Sequence, residues 1–182
     1  FLAMLRKSYR ERKKTLHDVD KRRSIHPDMH HSNKMMGMML YTENFAGNLP
    51  GVRDKLDYLR ECGVKYLHLM PLLDTPEDSA RSDGGYAVSD FRKVRSDLGT
   101  MEDLEKLAGD CHKRGIRVCL DFVMNHTSDE HEWAKAARAG DPEAQSRYFF
   151  YDSWDIPRQY EETMPQVFPE TAPGNFTYFD DI

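Results

Sequence analysis

The stretch from Gly115 to His131, G-I-R-V-C-L-D-F-V-M-N-H-T-S-D-E-H, constrains the fold more than any other part of the sequence. Ile116, Val118, Leu120, Phe122 and Met124 alternate with Arg117, Cys119, Asp121, Val123 and Asn125, and β-branched and aromatic residues of this kind suit a pleated surface. Both faces are largely apolar, which is the pattern of a parallel strand covered by helices rather than of an antiparallel strand with one wet face. A buried parallel strand is therefore expected over residues 116–123. At its carboxyl end the apolar run gives way to Asn125, His126, Thr127, Ser128 and Asp129, hydrogen-bonding groups placed where parallel α/β folds build their sites.

The preceding residues supply the partners such a strand needs. A basic amphipathic helix is expected over residues 1–23, ended by the Ser24 to Asp28 segment, where Pro27 disfavours helical backbone at His26. Residues 35–41 (M-M-G-M-M-L-Y) read as a first strand, its methionines as core filler. Asn48 can cap a helix in which Leu49, Val52, Leu56 and Leu59 recur at helical spacing, and Gly63 supplies the stop. A second strand follows at 64–70, closed by Pro71, with His68 inside it expected to be a satisfied core histidine. Residues 72–99 read as a long structureless loop carrying Asp74, Asp78, Asp83, Gly84, Gly85 and Tyr86, and a connection of this length in a compact domain is usually functional. A helix from Thr100, with Leu104, Leu107, Ala108 and Cys111 on its buried stripe, then leads into Gly115.

Strand, helix, strand, loop, helix, strand begins either a doubly wound sheet or a (β/α) barrel. No Gly-rich turn follows the first strand, which weakens a dinucleotide-binding reading and favours the barrel. Beyond His126 the composition changes, with 11 of the 20 aromatic residues in the last 57 positions. This marks a separate subdomain, with short helices expected at 130–139 and, with Pro142 at the first helical position, from Asp141 to Arg147, and Pro157, Pro165, Pro169 and Pro173 opposing long helices after Asp152. Aromatic rings suit sugar stacking, but a small irregular unit also needs them for its own core, and most are expected there.

Residues 1–23 hold nine Lys/Arg against three Asp/Glu, so the rest of the chain is more acidic than the total of −5 suggests. Leucines within the basic run point to a solvated helix, and nucleic acid is not expected as a partner. Cys62, Cys111 and Cys119 are odd in number and follow no metal-binding spacing, which favours reduced thiols and a cytoplasmic setting. No run approaches the roughly 20 apolar residues of a membrane span, and no membrane partner is expected. With 31% charged and 39% hydrophobic residues the chain is surface-heavy, and with Phe1 first and no evident stop after Ile182 it is expected to be part of a larger unit.

D-F-V-M-N-H at 121–126, followed by T-S-D-E-H-E-W, resembles the first conserved segment of the α-amylase superfamily, glycoside hydrolase family 13. D-G-G-Y-A-V at 83–88, G-T-M-E-D-L at 99–104, E-N-F-A-G-N-L at 43–49 and the late F-P-E-T-A-P-G-N-F segment make it similar to the amylosucrase branch of that family. The resemblance implies an α/β fold in which 1–34 end an N-terminal helical domain, 35–125 form the first three βα units of a (β/α)8 TIM barrel, and 126–182 form part of an inserted domain B. It also implies a retaining α-glucosyltransferase that takes glucose from sucrose, passes it to an α-glucan and releases fructose. A sucrose hydrolase or another α-glucosidase is the alternative, and a non-catalytic member used for binding or assembly is a third.

By the same resemblance Asp83, Tyr86 and His126 line the glycosyl pocket. A carboxylate accepts hydrogen bonds from sugar hydroxyls, a phenol ring stacks on the pyranose face, and an imidazole donates to a hydroxyl oxygen. Each also has a plain structural reading: Asp83 as a turn former beside two glycines, Tyr86 as a buried ring, His126 as a strand cap. Asp121 and Asn125 are read as structural. The resemblance implies no metal and no cofactor, with sucrose, an α-glucan and the remainder of the barrel as partners. The nucleophile and the acid/base carboxyl are expected beyond Ile182, so no residue of this chain, Asp129 and Glu130 included, is assigned to bond cleavage.

Overall fold

The computed structural model describes residues 1–28, 31–78, 81–167, 169–170 and 173–177. The chain divides into two units, one made of residues 1–70 and 101–121, the other of 71–100 and 122–182. Among the described residues the strands are β1 (Met36–Leu40), β2 (Val64–Leu69), β3 (Leu73–Asp74), β4 (Asp90–Val94) and β5 (Arg117–Leu120). The helices are α1 (Leu2–Glu11), α2 (Lys14–Ile25), α3 (Thr42–Ala46), α4 (Leu49–Asp54), α5 (Leu56–Glu61), α6 (Met101–Lys113), α7 (Glu132–Arg138), α8 (Pro142–Gln145) and α9 (Asp155–Glu161).

The first unit is built on a parallel sheet in the order β1-β2-β5. The chain steps to the next position on the same side each time, so right-handed crossovers bring the intervening helices to one face of the sheet. The packing of α4 against α6, α5 against β2 and α6 against β5 agrees with this. A doubly wound sheet would need a reversal of direction, so the layout is that of a barrel opening. Leu49, Val52, Leu56, Leu59, Val64, Leu67, Leu69, Leu107 and Ile116 are almost fully removed from water and form the helix–sheet core.

Local chemistry sets the ends of these elements. Asn48 Oδ1 accepts from the Gly51 amide at 2.8 Å and opens α4. The Gly115 amide reaches His112 O at 3.1 Å and the Ile116 amide reaches Cys111 O at 2.9 Å, with Gly115 at φ +73°, which closes α6 with the left-handed turn that glycine permits.

Three expectations for this unit are corrected. The 1–23 helix is two helices, broken by extended backbone at Arg12; neither buries a residue, so no packing holds the break straight. The strand at 116–123 is shorter and only half-buried, with Leu120 at 41% exposure, because β5 is an edge strand and helices cover one face of the sheet. Met36 and Met39 on β1, expected as core filler, are 47% and 65% exposed, Met39 on the face opposite Met38 and Leu40 and Met36 at the first position of the strand.

In the second unit, the segment expected to be structureless contains an antiparallel hairpin: Leu73 pairs with Val94 and Asp74 with Asp90, extended by Ser89 N to Asp74 O at 2.7 Å and Arg95 N to Leu72 O at 2.9 Å. β3 has only two residues, too few to show alternation. Leu72, Val88, Val94, Leu98, Val123, Ala137 and Ala144 form this unit's core. Asp141 Oδ1 accepts from the Ala144 amide at 2.7 Å and starts α8, and His131 Nδ1 accepts from the Trp133 amide at 3.1 Å and starts α7. Pro157 sits in the first turn of α9, where no intrahelical donor is lost.

The aromatic residues of this unit were expected mainly in its core, and none of those described beyond His126 is buried. Tyr148, Phe149, Phe150, Tyr151, Trp154 and Phe176 instead line a cavity of about 890 Å³. Small residues such as Ala137 and Ala144 take the interior because short helices pack close only where side chains are small. Phe168, Tyr178 and Phe179, counted in the same expectation, lie outside the described residues.

Candidate glycosyl-binding site

The S-D-G-G-Y segment folds into two overlapping tight turns, closed by Gly85 N to Ser82 O at 2.9 Å and Tyr86 N to Asp83 O at 3.1 Å. Asp83, Gly84 and Gly85 have φ of +50°, +63° and +97°, three left-handed residues in succession. Gly85 admits no side chain, because a Cβ there would lie 2.8 Å from Pro71 Cβ. Asp83 holds the left-handed conformation without that excuse, at a cost of about 1 kcal/mol, and aspartate is one of the residues that tolerates it. Its side chain is exposed and the carboxylate has no protein partner among the described residues. The turn-forming role and an open acceptor thus coexist in one residue.

His126 lies beside this turn. Its Nε2 is 3.2 Å from the Tyr86 carbonyl oxygen, and its Nδ1 is bonded to the Asn125 side-chain amide. A carbonyl can only accept, so Nε2 carries the proton, and Nδ1 then accepts from Asn125 Nδ2–H. Asn125, read from sequence as structural, fixes the ring's tautomer. The Nε2–H bond is at the long end of the hydrogen-bond range, which leaves the donor able to share with a hydroxyl oxygen. Tyr86 itself is half-buried. All three sequence-chosen residues therefore fall in the second unit, joined as Asp83 main chain to Tyr86 main chain to His126 ring.

Asp121 and His68 belong to the first unit and pair with each other, His68 Nε2 to Asp121 Oδ1 at 2.7 Å, each about a quarter exposed. His68 is satisfied, as its place in a strand suggested, by a partner 53 residues away that periodicity cannot reveal. Asp129 and Glu130 are both engaged by Arg81. Sequence reasoning missed His131: it is 3% exposed, packs its ring on Phe91 and Trp133 at centroid distances of 5.5 and 4.7 Å, and burial pushes its imidazole below the usual histidine range. The sequence reading places it inside the helix expected over 130–139, whereas it precedes α7 as the N-cap. Among the described residues no cluster of three or more His, Cys, Asp or Glu could hold a metal ion, and no helix is long and apolar enough to cross a membrane.

Comparison with known proteins matches residues 14–180 to the family described as Alpha amylase, catalytic domain. The chain belongs to the α-amylase family. An oligo-1,6-glucosidase from Heyndrickxia coagulans is 35% identical over 135 residues, covering 74% of this chain and 23% of that protein. A trehalose synthase from Pimelobacter sp. (strain R48) is 38% identical over 133 residues, covering 73% and 22%. Among solved structures, the trehalulose synthase MutB from Pseudomonas mesoacidophila MX-45 superposes with a TM-score of 0.59 at 35% identity, over 67% of this chain and 23% of MutB. A mutant of MutB has been solved in complex with the substrate sucrose, with the same TM-score and coverage. The chain thus spans less than a quarter of the length of these relatives, and its parallel sheet is the N-terminal part of the α-amylase (β/α)8 barrel. The relatives are, by name, α-glucoside-processing enzymes of the α-amylase family, glycosidases and glucosyl-rearranging synthases.

Proposed function

We propose that the protein is a retaining, sucrose-acting α-glucosyltransferase of amylosucrase type, in which Asp83, Tyr86 and His126 hold the glucosyl unit. The observation that carries this reading is the Asp83 carboxylate, without a partner among the described residues, on a strained left-handed backbone, in the same turn as Tyr86 and bridged by that residue to His126. Strain of this kind persists only where the surroundings enforce it, and an exposed acceptor at the strained point suits hydroxyl recognition. The sucrose complex of the related MutB is consistent with a sucrose substrate. The segments at 43–49, 83–88 and 99–104 favour the amylosucrase branch by resemblance.

In the proposed reaction a carboxylate outside residues 1–182 attacks the anomeric carbon while a second carboxyl protonates the departing fructosyl oxygen, and an α-glucan hydroxyl then intercepts the glycosyl-enzyme. Asp83 accepts from sugar hydroxyls, the Tyr86 ring covers the pyranose face, and His126 Nε2–H donates to a hydroxyl oxygen. Hydrolysis by a sucrose hydrolase or another α-glucosidase uses the same three contacts and differs in the acceptor.

The test supplies sucrose, with and without an α-glucan, to the protein as its gene encodes it and measures free fructose and free glucose. Fructose in excess of glucose supports transfer. Equal amounts identify a hydrolase. No release of fructose overturns the sucrose reading, and sugar binding without turnover would assign the protein to binding or assembly.

A further inference from the structure

We infer that Arg81 is a positioning residue for the glycosyl pocket, acting as a clamp between the Asp83–Tyr86 turn and the segment that follows His126; this rests on the pocket reading above. Arg81 lies two residues before Asp83 and spans two acidic neighbours at once. Its Nη1 donates to Glu130 Oε1 at 2.7 Å and its Nη2 to both Asp129 oxygens at 2.8 Å. Arg138 Nη2 stands 3.6 Å from Asp129 Oδ2 and adds charge on the far side. Ser128 orders the acidic pair: its Oγ accepts from the Glu130 amide at 3.1 Å, while its own amide donates to Val88 O at 2.8 Å.

These contacts fall in a pattern. Residues 81, 86 and 88 on one strip meet 129–130, 126 and 128 on the other, so Tyr86 lies between the two tied positions 81 and 88 of its strip, and both ties hold the residues that directly follow His126. One tie, Val88 to Ser128, is main chain and independent of side-chain identity. The other depends wholly on the Arg81 guanidinium, whose rigid fork can satisfy two carboxylates at once. The ring of Arg81 contacts is about half exposed, with Arg81, Asp129 and Glu130 side chains at 47%, 45% and 36%, so each pair alone contributes little to global stability. A group that adds little stability yet joins both halves of a site acts on geometry. Arg81 touches no reacting atom; it sets where the Asp83 carboxylate stands relative to the His126 ring.

The experiment uses the protein as its gene encodes it, with 4-nitrophenyl α-glucoside as the probe, since nitrophenol release reads the glucosyl pocket whatever the natural leaving group. Arg81→Ala should raise KM about fivefold with kcat changed less than twofold and the melting midpoint unmoved. Arg81→Lys, a point charge that cannot fork, should recover only part of that loss. The Asp129→Asn/Glu130→Gln variant should reproduce the Arg81→Ala phenotype, and combining the two should add nothing further. In the unaltered protein KM should climb with added salt, and in Arg81→Ala it should not. Tyr86→Ala serves as the reference. If Tyr86→Ala raises KM and Arg81→Ala does not, the clamp is wrong and the pocket stands. If neither changes KM, or the probe is not turned over, the pocket reading falls and the clamp with it. A lowered melting midpoint with unchanged KM, or full rescue by lysine, overturns the positioning role.

Discussion

The His126 imidazole donates its Nε2 proton to the main-chain carbonyl of Tyr86 across 3.2 Å, and so joins residues 40 positions apart in the one place where the family's sugar contacts are expected. Because the acceptor is main chain and the ring is exposed, little stability depends on this bond. Replacing His126 with Ala should lower kcat/KM for sucrose by about two to three powers of ten, the range for removing a donor that strengthens toward the transition state. The melting midpoint should stay within about 2 °C. A destabilised variant with near-normal turnover would make His126 a strand cap and remove it from the pocket.

Gly85 and Gly115 both hold positive φ, and only one is also crowded. Alanine at 85 would place Cβ 2.8 Å from Pro71 Cβ at φ +97°, whereas at 115 nothing lies within 4 Å. Gly115→Ala should therefore cost about 1 kcal/mol, the left-handed penalty alone. Gly85→Ala should cost about 2 to 3 kcal/mol and displace the Asp83 turn. Denaturant midpoints of the two variants, measured side by side, check the order; equal costs would mean that Pro71 yields freely.

His131 predicts an acid sensitivity. Burial depresses its folded-state titration below the unfolded value of about 6.5, so the unfolded chain binds the proton more tightly. The stability it contributes is full above that value and is lost as pH falls through the lower, folded one. His131→Asn keeps the acceptor that caps α7 and removes the titration. Melting midpoints from pH 7.5 to 4.5 should fall less steeply for the variant than for the unaltered protein; parallel curves would place the sensitivity elsewhere.

Cys111 is fully buried on the inner face of α6, and burial pushes its thiol up to about 11. At pH 8 it holds no appreciable thiolate, the species that alkylating reagents consume. Iodoacetamide should modify Cys62 and Cys119, both partly exposed, well before Cys111. Peptide mass mapping over a time course reads the order directly, and early labelling of Cys111 would mean that the α6 packing opens locally.

What the sequence determined by itself lies within a turn or two of chain. Asn48 and Asp141 announce helix starts because an N-cap bond spans only two or three residues, and Gly63 and Gly115 announce ends because a left-handed residue is a local demand. The apolar rows at Leu49–Leu59 and Leu104–Cys111 and the strands around 36–40, 64–69 and 117–120 were legible by period, and their order sufficed for the barrel direction. Asp83, Tyr86 and His126 were legible only through resemblance. What tertiary structure decided is every relation that closes a long loop: His68 with Asp121, His126 with the Tyr86 carbonyl, and Arg81 across to Asp129 and Glu130. The exposure of Met36, Met39 and the late aromatic rings belongs to the same class, since it depends on which face another element covers. Period and capping act through bonds a few residues long, whereas these contacts join residues 40 to 53 positions apart and depend on the path of the chain between them, which leaves no alternation in the sequence to show it.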